Sequence, residues 1–537
     1  MYRQVLDPVA GSLAWSSLVA ALPLLVLFVM LGILRVTAWV ASLVSLALAA
    51  VIAVAVYGMP FGQALLAGSE GAAFGFFPIL WIVINAIWVF RMTVETGHFD
   101  VLRRSFARVS DDQRVQAIII AFSFGALMEA LAGFGTPVAV TSVMLIALGF
   151  KPLKAAVLAL TANTAPVAFG AMATPIITLG KVTGISGDTL GAMVGRQTPV
   201  LAVFVPLVLV LIVDGRRGLR ESWPVALGCG VVFGVAQYAT SNFVSVPLAD
   251  VVASLLSAVA VVALVRLRGG GRPSSAPVVS PEFAERGARP DSRADVVRAY
   301  APYGIIILVF VICQVPVVKG LLDKATYTIQ WPGLHLLSPE GKPSSLPVFT
   351  LNLFTTPGTQ MLVAGVITMI ALRLAPPRAV RAYGVTLHQL RWAIVTVMAV
   401  LALAFVMNAS GQTITLGTWM AGAGGLFALL SPILGWLGVA VTGSDTSSNS
   451  LFGVLQVAAA RQAGLNEVLM AAGNSSGGVL GKMISPQNLA IVAAAVGLNG
   501  REGDIFRRVV VWSLIFLLAL CFLSVLQASP VLSWMVP

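Results

Sequence analysis

Two short segments in different halves of the chain share one pattern, and they decide how the whole sequence is interpreted. Residues 163–175 read Asn-Thr-Ala-Pro-Val-Ala-Phe-Gly-Ala-Met-Ala-Thr-Pro, and residues 474–486 read Asn-Ser-Ser-Gly-Gly-Val-Leu-Gly-Lys-Met-Ile-Ser-Pro. They align without a gap, with Asn, Gly, Met and Pro identical and Thr replaced by Ser at two positions. Upstream, Gly-Phe-Gly-Thr at 133–136 corresponds to Gly-Ser-Asp-Thr at 443–446. The pattern predicts an internal repeat.

The sequence around both segments is strongly apolar. Of the 537 residues, 58% are hydrophobic and 10% are charged, whereas an ordinary soluble domain has about 25% charged residues. This composition excludes a water-soluble fold. The apolar runs are continuous rather than alternating, which excludes a transmembrane β-barrel. The sequence therefore predicts an all-α polytopic membrane protein.

Apolar windows of about 20 residues, long enough to cross the hydrocarbon core, predict about twelve transmembrane helices. They fall at 12–34, 39–57, 72–91, 153–180, 191–213, 223–246, 248–266, 300–319, 357–375, 391–408, 464–491 and 509–536. The first run exceeds the apolar core of a cleaved signal peptide, so we expect it to be retained. Two further stretches, 115–148 and 411–459, are apolar but interrupted. Each is predicted to be a re-entrant hairpin or a pair of crossings.

Residues 267–299 differ from the rest of the chain, because they are rich in Gly, Pro, Ser and Arg, the composition of a linker. They are expected to separate a first transmembrane half, 1–266, from a second, 300–537. The repeats are placed at 115–213 and 411–536.

Basic residues orient the predicted helices, because short cytoplasmic loops carry an excess of Lys and Arg. Five loops do so, and all are cytoplasmic at once if the N-terminus is outside: 91–114, 214–220, 266–298, 373–391 and 501–508. Both termini are then extracytoplasmic, and 58–70 and 320–356 are external. The net charge of +12 is therefore interpreted as an orientation signal, and nucleic acid is not expected as a partner.

With this orientation the two repeats run in opposite directions, because helix 153–180 runs outward and helix 464–491 runs inward. Inverted repeats with helices interrupted at corresponding positions are typical of secondary transporters that bind substrate near the membrane midplane.

Helix-breaking residues lie within both repeat segments, at Pro166 and at Gly477-Gly478. Proline removes a backbone donor, and an opened helix leaves N–H groups free, which must face a cavity or protein rather than lipid. We expect the two breaks to converge on a carboxylate, with half-helix N-termini supplying partial positive charge. The expected hydrogen-bond donors to this substrate are Asn163, Thr164, Asn474, Ser475 and Ser476. The alternative is that these residues form packing kinks.

Ionisable residues inside apolar stretches are functional candidates by default. Glu129 has no charged residue within ten positions on either side, and desolvation favours its protonated form, so it is a candidate proton carrier. Asp445 is the acid of the corresponding region and is assigned to proton coupling as well. Lys482 is expected to offer the substrate a positive charge or to pair with one of these acids. Arg196 is interpreted either as a residue of the substrate site or as a side chain that extends to the external surface.

Other site chemistries find little support. The three cysteines are scattered and no metal-ligand spacing occurs, so neither a metal nor a cofactor is expected. No Walker-type loop is present, which excludes ATP-driven pumping. An intramembrane enzyme using Asp445 with Ser447, or the Ser475-Ser476 pair, lacks a positioned base and is not expected.

At these motifs the chain closely resembles the L-lactate permease family. The residues that carry the resemblance are Glu129 to Pro137, Gly149 to Leu153, Asn163 to Met172, Gly195-Arg196-Gln197, Gly435 to Gly438, Thr442 to Asn449 and Gly477 to Gln487. Weaker similarity extends over almost the full chain, although Thr136 and Ala130-Leu131 depart from the family's pattern. A more distant resemblance links the two breaks to the ion-transporter superfamily of carboxylate carriers.

The resemblance implies a multi-pass plasma-membrane protein that takes up lactate, and usually glycolate, by proton symport. We therefore expect a small monocarboxylate as substrate, protons as the coupling ion and the lipid bilayer as surroundings. The alternative is a sodium-coupled carboxylate or dicarboxylate symporter, which the Asp445 region suits. The sequence leaves the oligomeric state open, a homo-oligomer included.

Overall fold

The computed structural model describes residues 1–107, 109–133, 135–267, 292–339, 341, 343–344 and 346–537. Within them the all-α membrane architecture is confirmed. The helices of the first half are α1 (Leu13–Phe28), α2 (Ala38–Ala55), α3 (Phe61–Phe74), α4 (Trp81–Glu95), α5 (His98–Ala107), α6 (Gln113–Gln116), α7 (Gly125–Leu131), α8 (Thr136–Ala147), α9 (Pro152–Ala162), α10 (Thr174–Thr183), α11 (Gly187–Val194), α12 (Thr198–Ala202), α13 (Val205–Phe243) and α14 (Ala249–Leu267).

The second half continues in the same manner. Its helices are α15 (Arg293–Gln314), α16 (Pro316–Asp323), α17 (Pro357–Ala371), α18 (Pro376–Ser410), α19 (Gln412–Met420), α20 (Phe427–Thr442), α21 (Asp445–Ala463), α22 (Glu467–Lys482), α23 (Pro486–Ala495) and α24 (Glu502–Ala528). Turns of π-helix occupy Val29–Ile33, Gly75–Leu80 and Ala117–Phe124, and 3-10 turns occupy Ala171–Ala173, Val246–Leu248, Ala421–Leu426 and Ser533–Met535.

Helix starts follow the capping chemistry of the sequence. Ser12 accepts a hydrogen bond from the Trp15 backbone N–H, and Asn466 accepts one from the Leu469 N–H. Proline occupies the first turn of several other helices, where its missing N–H costs nothing. These caps satisfy N–H groups that the helix itself leaves free.

Ten helical stretches of the described residues are long and apolar enough to cross a membrane. One of them, Gly187–Phe243, covers two predicted spans, because Gly215 has a non-helical backbone (φ 64°, ψ −153°) that turns the chain between them. The predicted spans 153–180 and 464–491 are interrupted, as α9 with α10 and as α22 with α23. Together with the 15-residue α17, these segments account for the twelve predicted spans.

The first interrupted stretch folds as a hairpin. Its two ends meet, because the Gln113 side-chain Nε2 donates to the Leu148 carbonyl at 3.2 Å. Between them α7 and α8 are separated by a turn in which Gly133 and Gly135 adopt positive φ. In the second stretch, α20 and α21 pack against each other on either side of Gly443 (φ 74°). A hairpin is followed by a broken helix in both halves.

Some predicted boundaries are wrong. The predicted span 72–91 begins too late, because α3 begins at Phe61 and continues across a kink at Phe77 into α4. The predicted linker 267–299 ends too late, since Ser292 caps α15 and the helix begins at Arg293. Residues 268–291 of the linker lie outside the described residues.

Contacts between the connecting segments show which of them lie together. Segments 91–114 and 214–220, both largely helical, meet where Arg114 lies 3.3 Å from Asp214, and Arg91 hydrogen-bonds Gln389 of segment 373–391. In a separate group of contacts, β1 (Tyr2–Arg3) pairs in parallel with β3 (Leu336–Leu337), and β2 (Thr326–Gln330) pairs antiparallel with β4 (Val348–Asn352). The N-terminus therefore lies on the same side as segment 320–356.

Candidate functional site

The helix interruptions enclose a small cavity of about 60 Å³. This is room for about four water molecules, comparable to a carboxylate with a few heavy atoms. Its polar and charged lining comes from both halves of the chain: Glu129, Thr174, Ser444, Asp445, Thr446, Lys482, Gln487 and Asn488.

Three half-helices begin at this cavity. The first turns of α10, α21 and α23 supply Thr174, Thr446 and Asn488 to its wall. Helix N-termini carry partial positive charge and leave backbone N–H groups without an intrahelical acceptor. Their convergence makes the cavity suitable for a small anion.

Glu129 is charge-paired inside this site. Lys482 Nζ donates to Glu129 Oε1 at 2.7 Å, and Asn163 Nδ2 donates to Oε2 at 2.9 Å. The Glu129 and Lys482 side chains are 3% and 9% exposed, so the pair is largely withdrawn from water. Both carboxylate oxygens therefore have a donor, and the structure brings together three of the predicted site residues.

Asp445 lies in a polar network of the second half. Its Oδ2 accepts from Ser475 Oγ at 2.7 Å and from Asn449 Nδ2 at 3.3 Å. Asn474 Nδ2 donates to Asn449 Oδ1 at 2.9 Å, and Gln456 Nε2 donates to Asn474 Oδ1 at 3.1 Å. Asn474 thus reaches Asp445 only through Asn449.

The two asparagines do not line the cavity themselves. The cavity wall contains neither Asn163 nor Asn474. Asn163 donates to Glu129, and Asn474 is linked to Asp445 through Asn449. Thr164 Oγ1 donates to the Thr161 carbonyl at 2.8 Å, which caps its own helix end. Ser476 Oγ donates to Gln197 Oε1 at 2.7 Å, away from both acids. Of the predicted site residues, Glu129, Asp445 and Lys482 line the cavity.

The helix breaks differ from the prediction in the second repeat. In the first, α9 ends at Ala162 and Pro166 lies in the non-helical segment that follows. In the second, α22 continues through Gly477 and Gly478 to Lys482, so the break predicted at these glycines is wrong. A glycine inside a helix costs only about 1 kcal/mol relative to alanine, and here its small size serves packing. A Cβ at Gly477 would lie 2.1 Å from the Pro432 carbonyl oxygen.

Several buried polar residues at or near the site were not singled out from the sequence. Asn449 lies within a quoted motif, but only its contacts show that it joins Asp445 to Asn474. Gln237 Nε2 donates to Asp250 Oδ1 at 2.7 Å and to the Ala165 carbonyl, inside the first break, at 3.2 Å. Asp250 resembles an ordinary helix-start acid in sequence, yet it is 1% exposed.

Another buried acid, Glu70, is not part of the cavity wall. Glu70 on α3 is fully buried, and neither of its carboxylate oxygens has a hydrogen-bond partner in the described part of the chain. Lys181 on α10 interacts with it electrostatically while donating to the Val348 carbonyl at 2.5 Å. The described residues contain no group of three or more His, Cys, Asp and Glu side chains placed to hold a metal ion.

The fold and the cavity together define a class of protein, a polytopic helical membrane transporter with half-helices meeting at a small polar cavity. A family model described as L-lactate permease matches residues 16–531. The chain therefore belongs to the L-lactate permease family, and it is a transporter and not an enzyme.

Individual relatives align with this chain over nearly their whole lengths. The L-lactate permease of Bacillus subtilis is 39% identical, and that of Escherichia coli K12 is 40% identical, each alignment covering 100% of both chains. The glycolate permease GlcA of Escherichia coli K12 is 41% identical over 96% of both chains. Among solved structures, the YdaH transporter of Alcanivorax borkumensis matches 86% of both chains with a TM-score of 0.45 and 15% identity.

Proposed function

We propose that this protein imports L-lactate and related short 2-hydroxymonocarboxylates, including glycolate, across the plasma membrane by proton symport. Relatives named for L-lactate and for glycolate, at about 40% identity over nearly the full chain, support this substrate class. The proposal extends to orientation: both termini are extracytoplasmic, and the two halves are inverted repeats.

The observation that carries the proposal is the buried ion pair between Lys482 and Glu129 at the wall of the cavity. One ammonium group compensates one carboxylate. A substrate carboxylate that enters the cavity competes with Glu129 for Lys482, and a second uncompensated charge in a buried site costs several kcal/mol. A proton on Glu129 removes that competition, so binding of the substrate and binding of the proton favour each other.

The remaining predicted residues have supporting roles in this scheme. Asn163 positions Glu129, and Asn474 and Ser475 position Asp445, which we retain as a proton-binding residue. Thr164 caps the end of α9, and Ser476 connects α22 to Gln197. Lys482 is the direct contact to the substrate carboxylate, with the N-termini of α10, α21 and α23 supplying further N–H donors.

Purified protein in liposomes with a pH-sensitive dye inside tests the proposal. An inward proton gradient should drive accumulation of labelled L-lactate, and adding L-lactate should acidify the lumen. Replacing sodium with choline should change neither result, which separates proton from sodium coupling. Uptake of L-lactate without proton entry would overturn the symport proposal.

A Glu129 variant tests whether this residue carries the coupled proton. Glu129→Gln should abolish proton-driven accumulation while retaining part of the counterflow of bound L-lactate, because exchange does not require the proton to be released. Glu467→Gln, a surface acid paired with Arg461, is the matched control and should behave as wild type. Equal accumulation by Glu129→Gln and wild type would remove Glu129 from the coupling.

A further inference from the structure

The two acids of the cavity are hydrogen-bonded in different ways. Glu129 receives a donor on each oxygen, the arrangement of an ionised carboxylate. Asp445 receives two donors on Oδ2, whereas Oδ1 is buried and has no partner among the described residues. One accepting oxygen and one free oxygen is the arrangement of a protonated carboxylic acid, whose hydroxyl still lacks an acceptor.

The charge balance of the cavity leads to the same assignment. The charged side chains that line it are Glu129 from α7, Lys482 from α22 and Asp445 itself, and the lining residues of α10 and α23 do not titrate. Lys482 and Glu129 together are neutral. An ionised Asp445 would therefore be a buried charge without a cation of its own, which costs several kcal/mol.

Both forms of the carrier that must cross the membrane can then be neutral. Without substrate, Lys482 is paired with ionised Glu129 and Asp445 is protonated. With substrate, Lys482 is paired with the substrate carboxylate, and Glu129 has taken up one proton. If Asp445 released its proton in each cycle, the empty carrier would return with an uncompensated negative charge.

Resting on the proposed function, we propose that Asp445 keeps its proton throughout transport and donates a hydrogen bond to the bound carboxylate. Only Glu129 exchanges a proton, so one proton accompanies each substrate anion and no net charge crosses the membrane. Gly478 serves this arrangement, because a Cβ there would lie 2.2 Å from Asp445 Oδ1. Asp445 thereby becomes a substrate-binding residue and gives up the proton-coupling role assigned to it above.

The membrane potential gives the decisive measurement on the wild-type protein. In liposomes without a pH gradient, a potassium diffusion potential, inside negative, should leave L-lactate accumulation unchanged. A carrier that moves one net positive charge would raise its accumulation ratio about tenfold for a tenfold potassium gradient, and that result would overturn the proposal. Uptake that does not depend on the pH gradient would instead overturn proton symport itself. Failure of this proposal and failure of the proposed function therefore give different results.

Two variants test the role of Asp445. Asp445→Asn retains one acceptor and one donor and should keep proton-driven accumulation with a KM near that of wild type. Asp445→Ala lacks the donor and should raise KM about tenfold, the value of one hydrogen bond, with the proton drive intact. Loss of the proton drive in Asp445→Asn with counterflow retained would show that Asp445 carries the coupled proton. Asp188→Asn, at the exposed surface, is the control for both variants. If either Asp445 variant fails to fold, the dependence of uptake on the membrane potential decides the question alone.

Discussion

The two matching segments, 163–175 and 474–486, both begin with asparagine and end with proline, yet they fold differently. In the first, helix α9 stops at Ala162 and α10 starts only at Thr174. In the second, α22 continues to Lys482, and three residues separate it from α23. The first repeat therefore holds an open segment of backbone, and the second holds a long helix that carries a lysine to the cavity.

The difference shows how one motif serves two tasks. In the first break, Met172 and Ala173 adopt left-handed backbone conformations (φ 51° and 60°) that non-glycine residues rarely adopt. In the second, Gly477 and Gly481 bring α22 against α20, where a Cβ would meet carbonyl oxygens at 2.1 and 2.2 Å. Strain is concentrated in one repeat and close packing in the other. Both the strain and the close packing can be tested by substitution.

The largest effect is expected from removing the lysine that the long helix carries. Lys482→Met leaves Glu129 without its cation, and breaking a buried pair in this way costs about 3–5 kcal/mol. Thermal unfolding in detergent should show the loss of stability, and L-lactate uptake should fall to the level of empty liposomes. The double variant Lys482→Met with Glu129→Gln should regain most of the stability without regaining transport. Recovery of transport in the double variant would contradict the role given to Lys482.

A smaller loss should follow from filling the closest contact of the long helix. Gly481→Ala places a Cβ 2.2 Å from the Trp436 carbonyl oxygen, and because backbone must move, we expect about 3 kcal/mol of destabilisation. Gly503→Ala is the matched control, since no atom lies within 4 Å of its Cβ. That change should be neutral or stabilise helix α24 by up to about 1 kcal/mol. Similar melting temperatures for the two variants would contradict a packing role for Gly481.

These two regions also show what the sequence could and could not predict. The spans and the interrupted stretches follow from apolar length and from helix-breaking residues, which are local properties. The role of Lys482 does not, because the sequence offers it to the substrate, to Glu129 or to Asp445. Lys482 is remote from Glu129 in sequence, and the two side chains meet only once α22 packs against the first hairpin. Gly477 and Gly478 were misassigned for a related reason: glycine favours both a break and a close contact, and only the position of Pro432 on a neighbouring helix decides between them.

The two asparagines should respond differently to the same change. Asn474→Ala removes the donor to Asn449 Oδ1 and one of the two acceptors of Gln456 Nε2, which also donates to the Ser431 carbonyl, in a fully buried network, at a cost of about 2 kcal/mol. Asn163→Ala removes one donor from Glu129, so its main effect should appear in proton-driven accumulation of L-lactate rather than in stability. Identical losses of stability and of proton-driven accumulation in both variants would contradict this difference between the two asparagines.

The smallest effect is expected at the proline that marks the first break in the sequence. Pro166 lies in a segment whose path depends more on Gly170 (φ 51°, ψ −149°), a backbone conformation essentially restricted to glycine. Pro166→Ala should therefore change stability by no more than about 1 kcal/mol, mainly through the unfolded chain, and should leave L-lactate counterflow intact. Gly170→Ala should cost about 1–3 kcal/mol, because its Cβ would also lie 3.2 Å from Pro175. If Pro166→Ala proved the more damaging change, proline rather than backbone strain would hold the first helix open, and the two breaks would differ less than their backbones indicate.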